Sequence, residues 1–206
     1  LTVDLPPPPQ LGDPLALTPA PEVLRFLAHR RSTSAVTLTE PAPSAADLDT
    51  LLRLAIRVPD HGKLAPWRFI ILAGDDKARF AGRLEALAQS RGDTQAVGKL
   101  GKLKIPPLAV AVISAPKAAA IPAWEQELSA GAVCTTLLYA ALAMGYGANW
   151  ITDWYAYDAE AQTILGLAVG EQVAGFMLLG TPREAPLERE RPTPAALVSR
   201  WSDDAE

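Results

Sequence analysis

From Leu128 to Gly147 no side chain carries a charge. A helix of that length, about 20 residues, reaches across a bilayer. Ser129, Gly131, Thr135, Thr136, Gly145 and Gly147 dilute its apolar character, Glu125 and Glu127 stand at one end, and no basic cluster flanks it. A helix that is apolar all round is also what the centre of a large core demands. The segment is therefore expected as a buried helix from Ala123 to Met144, ended by Gly145 and Gly147, and not as a membrane span. Such a helix must be wrapped by other elements, and 206 residues suffice for that without disulfides or metals.

The remaining pattern supplies the wrapping. Residues 1–20 are broken by Pro6 to Pro9, Pro14 and Pro19, so they are expected as an extended arm. Residues 21–206 are expected as a single domain. Helical periodicity runs from Glu22 to Arg31, from Ser44 as N-cap to about Arg57, from Asp75 to about Ser90, and from Ala159 to Leu165. Short apolar runs predict strands at Trp67–Leu72, Leu108–Ser114, Asn149–Trp154 and Val173–Leu179, the last closed by Gly180-Thr181-Pro182. Pro59 to Pro66 reads as a loop, and residues 91–104 carry no clear pattern. Helices outnumber strands, and the strands are well separated. The fold class expected is α+β, a three-layer α/β/α sandwich with a small mixed β-sheet around a long buried central helix.

The sequence excludes several kinds of chemistry. Net charge is −4, with no basic face of the kind nucleic-acid binding needs. The one cysteine, Cys134, excludes an intramolecular disulfide and multi-cysteine metal sites, and points to a reducing cytoplasm. It lies midway along the apolar helix and reads as a buried hydrophobe rather than a nucleophile. Only His29 and His61 are available for imidazole chemistry. No signal peptide is expected at the start, although the chain opens on Leu1, which leaves room for residues upstream. There is no Gly-x-Gly-x-x-Gly, no P-loop and no Gly-x-Ser-x-Gly elbow. An enzyme of this composition would draw its chemistry from a bound organic cofactor.

Three segments then carry a resemblance. The first is His29-Arg30-Arg31-Ser32-Thr33-Ser34. The second runs from Ala55-Ile56-Arg57-Val58-Pro59-Asp60-His61-Gly62 through Ala65-Pro66-Trp67-Arg68-Phe69. The third runs from Trp124-Glu125-Gln126-Glu127 through Gly145-Tyr146-Gly147-Ala148-Asn149-Trp150 to Leu179-Gly180-Thr181-Pro182. In order and spacing they resemble the nitroreductase superfamily, and within it the small YdjA-like NAD(P)H nitroreductases, over roughly residues 20–185. The resemblance implies an FMN-dependent homodimer with two flavins at the subunit interface. Hydride would pass from NADH or NADPH, as co-substrate, to nitroaromatics, quinones or similar acceptors.

The resemblance also assigns residues. Arg30, Arg31 and Ser32 match the phosphate and ribityl contacts. A phosphate dianion suits a guanidinium fork beside a hydroxyl, although two arginines near a helix C-terminus also read as solvated cations favoured by the dipole. Arg57 and His61 match positions that reach the flavin of the other subunit. Trp150, Ile151 and Thr152 match the stretch lining the flavin. Ala140, Ala141, Leu142, Ala143, Met144 and Gly145 match nicotinamide contacts, and read equally as the buried end of the central helix. No residue is assigned as a catalytic side chain or a metal ligand. Two positions depart from the pattern: Ser34 stands where many relatives have Lys or Arg, and Arg189 and Arg191 are the candidates for the basic pair near the C-terminus. A flavin-binding carrier or sensor without efficient turnover, and a dehalogenase or dehydrogenase on the same scaffold, are the alternative functions.

Overall fold

The first regular element begins where the prolines give way to helix formers. In the computed structural model, which describes residues 5–202, residues 5–20 contain no helix or strand, and residues 1–4 of the expected arm lie outside the described residues. Helix α1 (Pro21–His29) starts on a proline at its first turn, where the missing N–H is not needed. Strand β1 (Leu38–Thr39) is short. Helix α2 (Ala45–Ala55) opens with a reciprocal cap. Ser44 Oγ accepts from Asp47 N–H at 3.1 Å, and the Asp47 carboxylate accepts from Ser44 N–H at 3.3 Å. Strand β2 (Trp67–Ala73) leads into α3 (Gly74–Ser90).

The unassigned stretch after α3 forms two short helices, α4 (Thr94–Lys99), capped by Asp93, and α5 (Gly101–Lys104). Next come β3 (Leu108–Ser114), α6 (Ala123–Ala143), β4 (Gly147–Ile151), α7 (Trp154–Tyr157), α8 (Ala159–Leu165) and β5 (Gln172–Pro182). The largest differences from the expected strand limits are at the ends of β4 and β5. Asp153 accepts a hydrogen bond from Trp154 N–H and starts a helix there, so β4 ends earlier than Trp154. Strand β5 runs on through Gly180-Thr181-Pro182 because Thr181 and Pro182 pair with β1. No helix among the described residues is long and apolar enough to cross a membrane.

The strands form one five-stranded sheet. Strand β5 is its axis, paired with β3 along one edge and with β4 along the other, while its last residues, Thr181 and Pro182, pair with β1; β2 flanks β3. Every pairing among the described residues is antiparallel, so the sheet is not mixed as expected. The reason is strand order. The crossover through α6 does deliver β4 parallel to β3, as a helical connection should, but β5 lies between them and is antiparallel to both. All seven residues of β3 are buried, which is why that strand reads as an unbroken apolar run.

Two cores flank the sheet and make the three layers. On one face Leu84, Leu103, Ile113, Tyr155, Phe176 and Leu178 pack with α3, α5, α7 and α8. On the other, α6 and α2 cover Val110, Val112, Met177 and Leu179 through Leu51, Val133, Leu137 and Ala141. Arg68 on β2 ties the first layer to the turn before β5. Its Nε and Nη2 donate to the two Glu171 oxygens at 2.7 and 2.6 Å, and Nη2 also donates to Gly166 O. Beside this guanidinium the Glu171 carboxyl is held down to about 2, against an ordinary 4.5. A carboxyl depressed in the folded state adds stability that is fully present above its unfolded value and is lost as pH falls through the folded one. Glu171→Gln is therefore expected to cost about 1–2 kcal/mol near neutral pH, after allowance for screening at the half-exposed Arg68. Urea unfolding of both proteins should show that gap closing between pH 4.5 and about 2; a gap independent of pH would contradict the assignment.

Candidate functional site

The chain leaves α1 at Arg30, where the backbone turns extended, and runs alongside β4. Thr33 N–H donates to Ala148 O at 2.9 Å, and Asn149 Nδ2 donates to Thr33 O. This close approach needs Gly147, since a β-carbon there would overlap Leu38 and crowd Thr33 and Pro182. At the far end of the segment, Arg183 N–H donates to Thr37 O at 3.0 Å. Residues 184–191, which follow β5, are thereby brought back across residues 30–37.

Between the two stretches lies a cleft of about 670 Å³, within the size range of small-molecule sites. Arg30, Arg31, Ser32 and Ser34 line one side and Glu184, Arg189 and Arg191 the other, with Leu138 of α6 and Asn149 of β4 between them. Arg30 is the best anchored of the cations. Its guanidinium lies 5.5 Å from the centre of the Tyr139 ring, which Phe26 meets edge-on at 5.8 Å. Arg30 Nη2 donates to Ser32 Oγ at 3.2 Å. Arg30 Nε is buried and has no hydrogen-bond partner among the described residues. A guanidinium N–H in that condition is costly unless something accepts from it. Arg31 is more engaged: its Nε donates to Leu187 O at 2.8 Å and lies 3.6 Å from a Glu188 oxygen.

Four guanidiniums, two serine hydroxyls and an amide side chain around one cleft are the donor set for a phosphate or another dianion. The structure thus brings Arg30, Arg31 and Ser32 together. It joins to them Arg189 and Arg191, which sequence reading held only as candidates, and Asn149, Thr33 and Thr37, which it missed. The signal for Asn149 was its place directly before Trp150 on a strand. For the tail arginines the signal was the run Arg189-Glu190-Arg191 after β5. Ser34 directs its carbonyl to Thr37 and supplies no charge.

The other predicted residues stand elsewhere in this chain. Arg57 lines a second cleft, of about 820 Å³, between the end of α2 and the proline stretch Pro6–Pro9. His61 is exposed in the loop before β2, with Nδ1 2.8 Å from Glu125 Oε2. That loop is shaped by Asp60, whose oxygens accept from Leu64 and Ala65 N–H, and is pinned to α6 by Ser129 Oγ donating to Pro59 O at 2.6 Å. The Trp150 indole covers Gly175, where a β-carbon would collide with it, and donates to Ala174 O at 3.2 Å. Ile151 packs against the core, and exposed Thr152 accepts from Tyr157 OH. Of Ala140 to Gly145, Ala141 and Met144 face the core while Ala143 and Gly145 are exposed. Burial pushes the Cys134 thiol up to about 12, so it holds no thiolate at neutral pH. Among the described residues no group of three His, Cys, Asp or Glu side chains is placed to hold a metal ion.

Comparison with known proteins adds to this geometry. The sequence profile described as "Nitroreductase family" matches residues 27–181. The Escherichia coli (strain K12) protein described as "Putative NAD(P)H nitroreductase YdjA" is 33% identical over 165 residues, which are 79% of this chain and 89% of that protein. Among solved structures, a nitroreductase-like family protein from Bacillus cereus superposes with a TM-score of 0.79 at 19% identity, over 90% of this chain and 99% of the other. A Bacteroides fragilis nitroreductase with bound FMN superposes with a TM-score of 0.66 at 21% identity, over 88% and 99% of the two chains.

Proposed function

The chain belongs to the nitroreductase family, and from that premise we propose that it is an FMN-dependent oxidoreductase. In this reading it takes hydride from NADH or NADPH and delivers it to nitroaromatic, quinone or similar acceptors. One observation carries it: Arg30, whose buried Nε has no partner among the described residues, lines a cleft ringed by three further guanidiniums. The residues present fit the cofactor's phosphate end. The orphaned donor asks for an acceptor, Ser32 adds a hydroxyl beside it, and the cleft is large enough for a ligand larger than phosphate alone. FMN, when bound, supplies the two-electron carrier that the side chains of this protein lack.

In the same reading Arg30, Arg31 and Ser32 hold the phosphate and ribityl chain. Trp150, Ile151 and Thr152, which follow Asn149 directly in the chain, line the ring. Arg57 and His61 stand apart from the Arg30 cleft within one chain and serve the flavin of a second copy. The nicotinamide approaches along Ala140 to Gly145 at the end of α6, where Ala143 and Gly145 are open. Support for a homodimer comes from α1, which buries none of its residues and exposes Val23, Leu24 and Leu27, and from exposed Trp124 and Leu128 on α6. Residues 21–206 would act as one domain, with the proline arm outside it. A cytoplasmic setting suits the buried lone thiol of Cys134.

Anaerobic titration of the purified, FMN-loaded protein with NADH and with NADPH tests the activity. The flavin absorbance should bleach with at least one nicotinamide and return when a quinone or nitroaromatic is added. Protein that stays yellow would be a carrier or sensor, and protein that stays colourless after incubation with FMN would sink the reading altogether.

A further inference from the structure

The cations around the cleft are not equally open to a ligand. Glu188 Oε1 accepts from Arg191 Nε at 3.3 Å and Nη2 at 3.1 Å, and from the Arg189 amide at 2.7 Å. The same oxygen lies 3.6 Å from Arg31 Nε, which also donates to the neighbouring Leu187 carbonyl. One carboxylate oxygen thus occupies the Nε/Nη2 edge of Arg191, the edge that would make a two-point contact with phosphate. It also offsets the charge of Arg31. Arg30 alone keeps a buried N–H without a partner among the described residues.

We propose that Glu188 is a built-in counter-ion of the phosphate-binding arginines, which competes with the ligand's phosphate and sets the hold on FMN below what the four guanidiniums would otherwise give. The inference rests on the FMN reading above. Its sign follows from exposure and geometry. The Glu188 side chain is 59% exposed, so its ion pairs do little to pre-order the tail. A dianion approaching Arg31 and Arg191, by contrast, must displace this carboxylate or bind beside it, against like-charge repulsion. The Arg189 amide and the Arg191 and Arg31 guanidiniums keep the Glu188 carboxyl below the usual carboxylate range, so it opposes the phosphate throughout the neutral range. Glu184 also lines the cleft, but among the described residues it is Glu188 that pairs with Arg31 and Arg191.

The test removes the charge and keeps the shape. Glu188→Gln retains an oxygen to accept from the Arg189 amide. Full-length protein is stripped of flavin and retitrated with FMN and with riboflavin, which lacks the phosphate. Glu188→Gln should bind FMN roughly three- to tenfold more tightly than the unaltered protein, with riboflavin affinity unchanged and the gain shrinking at high salt. Unchanged or weaker FMN binding by Glu188→Gln, while Arg30→Ala still loses FMN, would overturn the role of Glu188 and leave the FMN reading intact. A gain shared equally by riboflavin would overturn it as well, since the effect would then not act on the phosphate. If the unaltered protein holds FMN no better than riboflavin, both the inference and the phosphate assignment fall.

Discussion

Arg30→Ala is expected to weaken FMN binding by roughly tenfold to a hundredfold, the size of one lost charge-assisted contact of about 1.5–3 kcal/mol. The size of the effect follows from how differently the cleft's cations are placed. Arg31 and Arg191 are already engaged with Leu187 and Glu188, so a ligand gains from them only after displacing those partners. Arg30 is held by the Tyr139 ring and by Ser32, and its buried Nε has no partner among the described residues. Its loss removes a pre-positioned fork rather than a mobile charge, and Arg30→Lys should restore only part of the affinity, since an ammonium cannot reproduce the fork. Fluorescence titration of flavin-stripped protein measures this directly. FMN retention unchanged in Arg30→Ala would sink the phosphate assignment, and an equal loss for riboflavin would move the role of Arg30 away from the phosphate.

Phe176→Ala is expected to have the largest effect on stability, a loss of about 3–5 kcal/mol. Phe176 is fully buried at the middle of β5, where it faces Tyr155 edge-on with ring centres 4.9 Å apart. Truncation removes the ring from between the sheet and α7, in a layer too tightly connected to collapse around the space. For a chain of this length the loss corresponds to a fall in Tm of roughly 6–20 °C. Phe176→Leu, which keeps most of the volume, should cost clearly less. A change in Tm of a degree or two in the alanine variant would show that this layer repacks, contrary to the contacts described.

Much of the scaffold was legible because its signals are local. The uncharged run fixed α6 to within a residue of its end, the apolar run of β3 and the periodicity of α8 matched their limits, and Ser44 with Asp47 marked the start of α2. What escaped depends on residues far apart in sequence. That β5 would separate β3 from β4, and so make the sheet antiparallel, is a matter of strand order on which the strand sequences themselves are silent. Trp154 reads as a strand residue until Asp153 is seen to cap a helix. In the site, the resemblance singled out Arg30, Arg31 and Ser32, and all three line one cleft. The opposite wall was legible only as the candidates Arg189 and Arg191, because they reach it through the pairing of Thr181 and Pro182 with β1 and the hydrogen bond from Arg183 to Thr37.

The place of β5 also governs the order in which the molecule is completed during synthesis. Strands β3 and β4 leave the ribosome well before the strand that must lie between them, and until Gln172–Pro182 follows, each exposes an unpaired edge and an apolar face. Until then the two sides of the sheet have no common axis. The arginines of the tail follow later still. Capture of an anionic ligand by both walls thus waits on a sheet that has already closed.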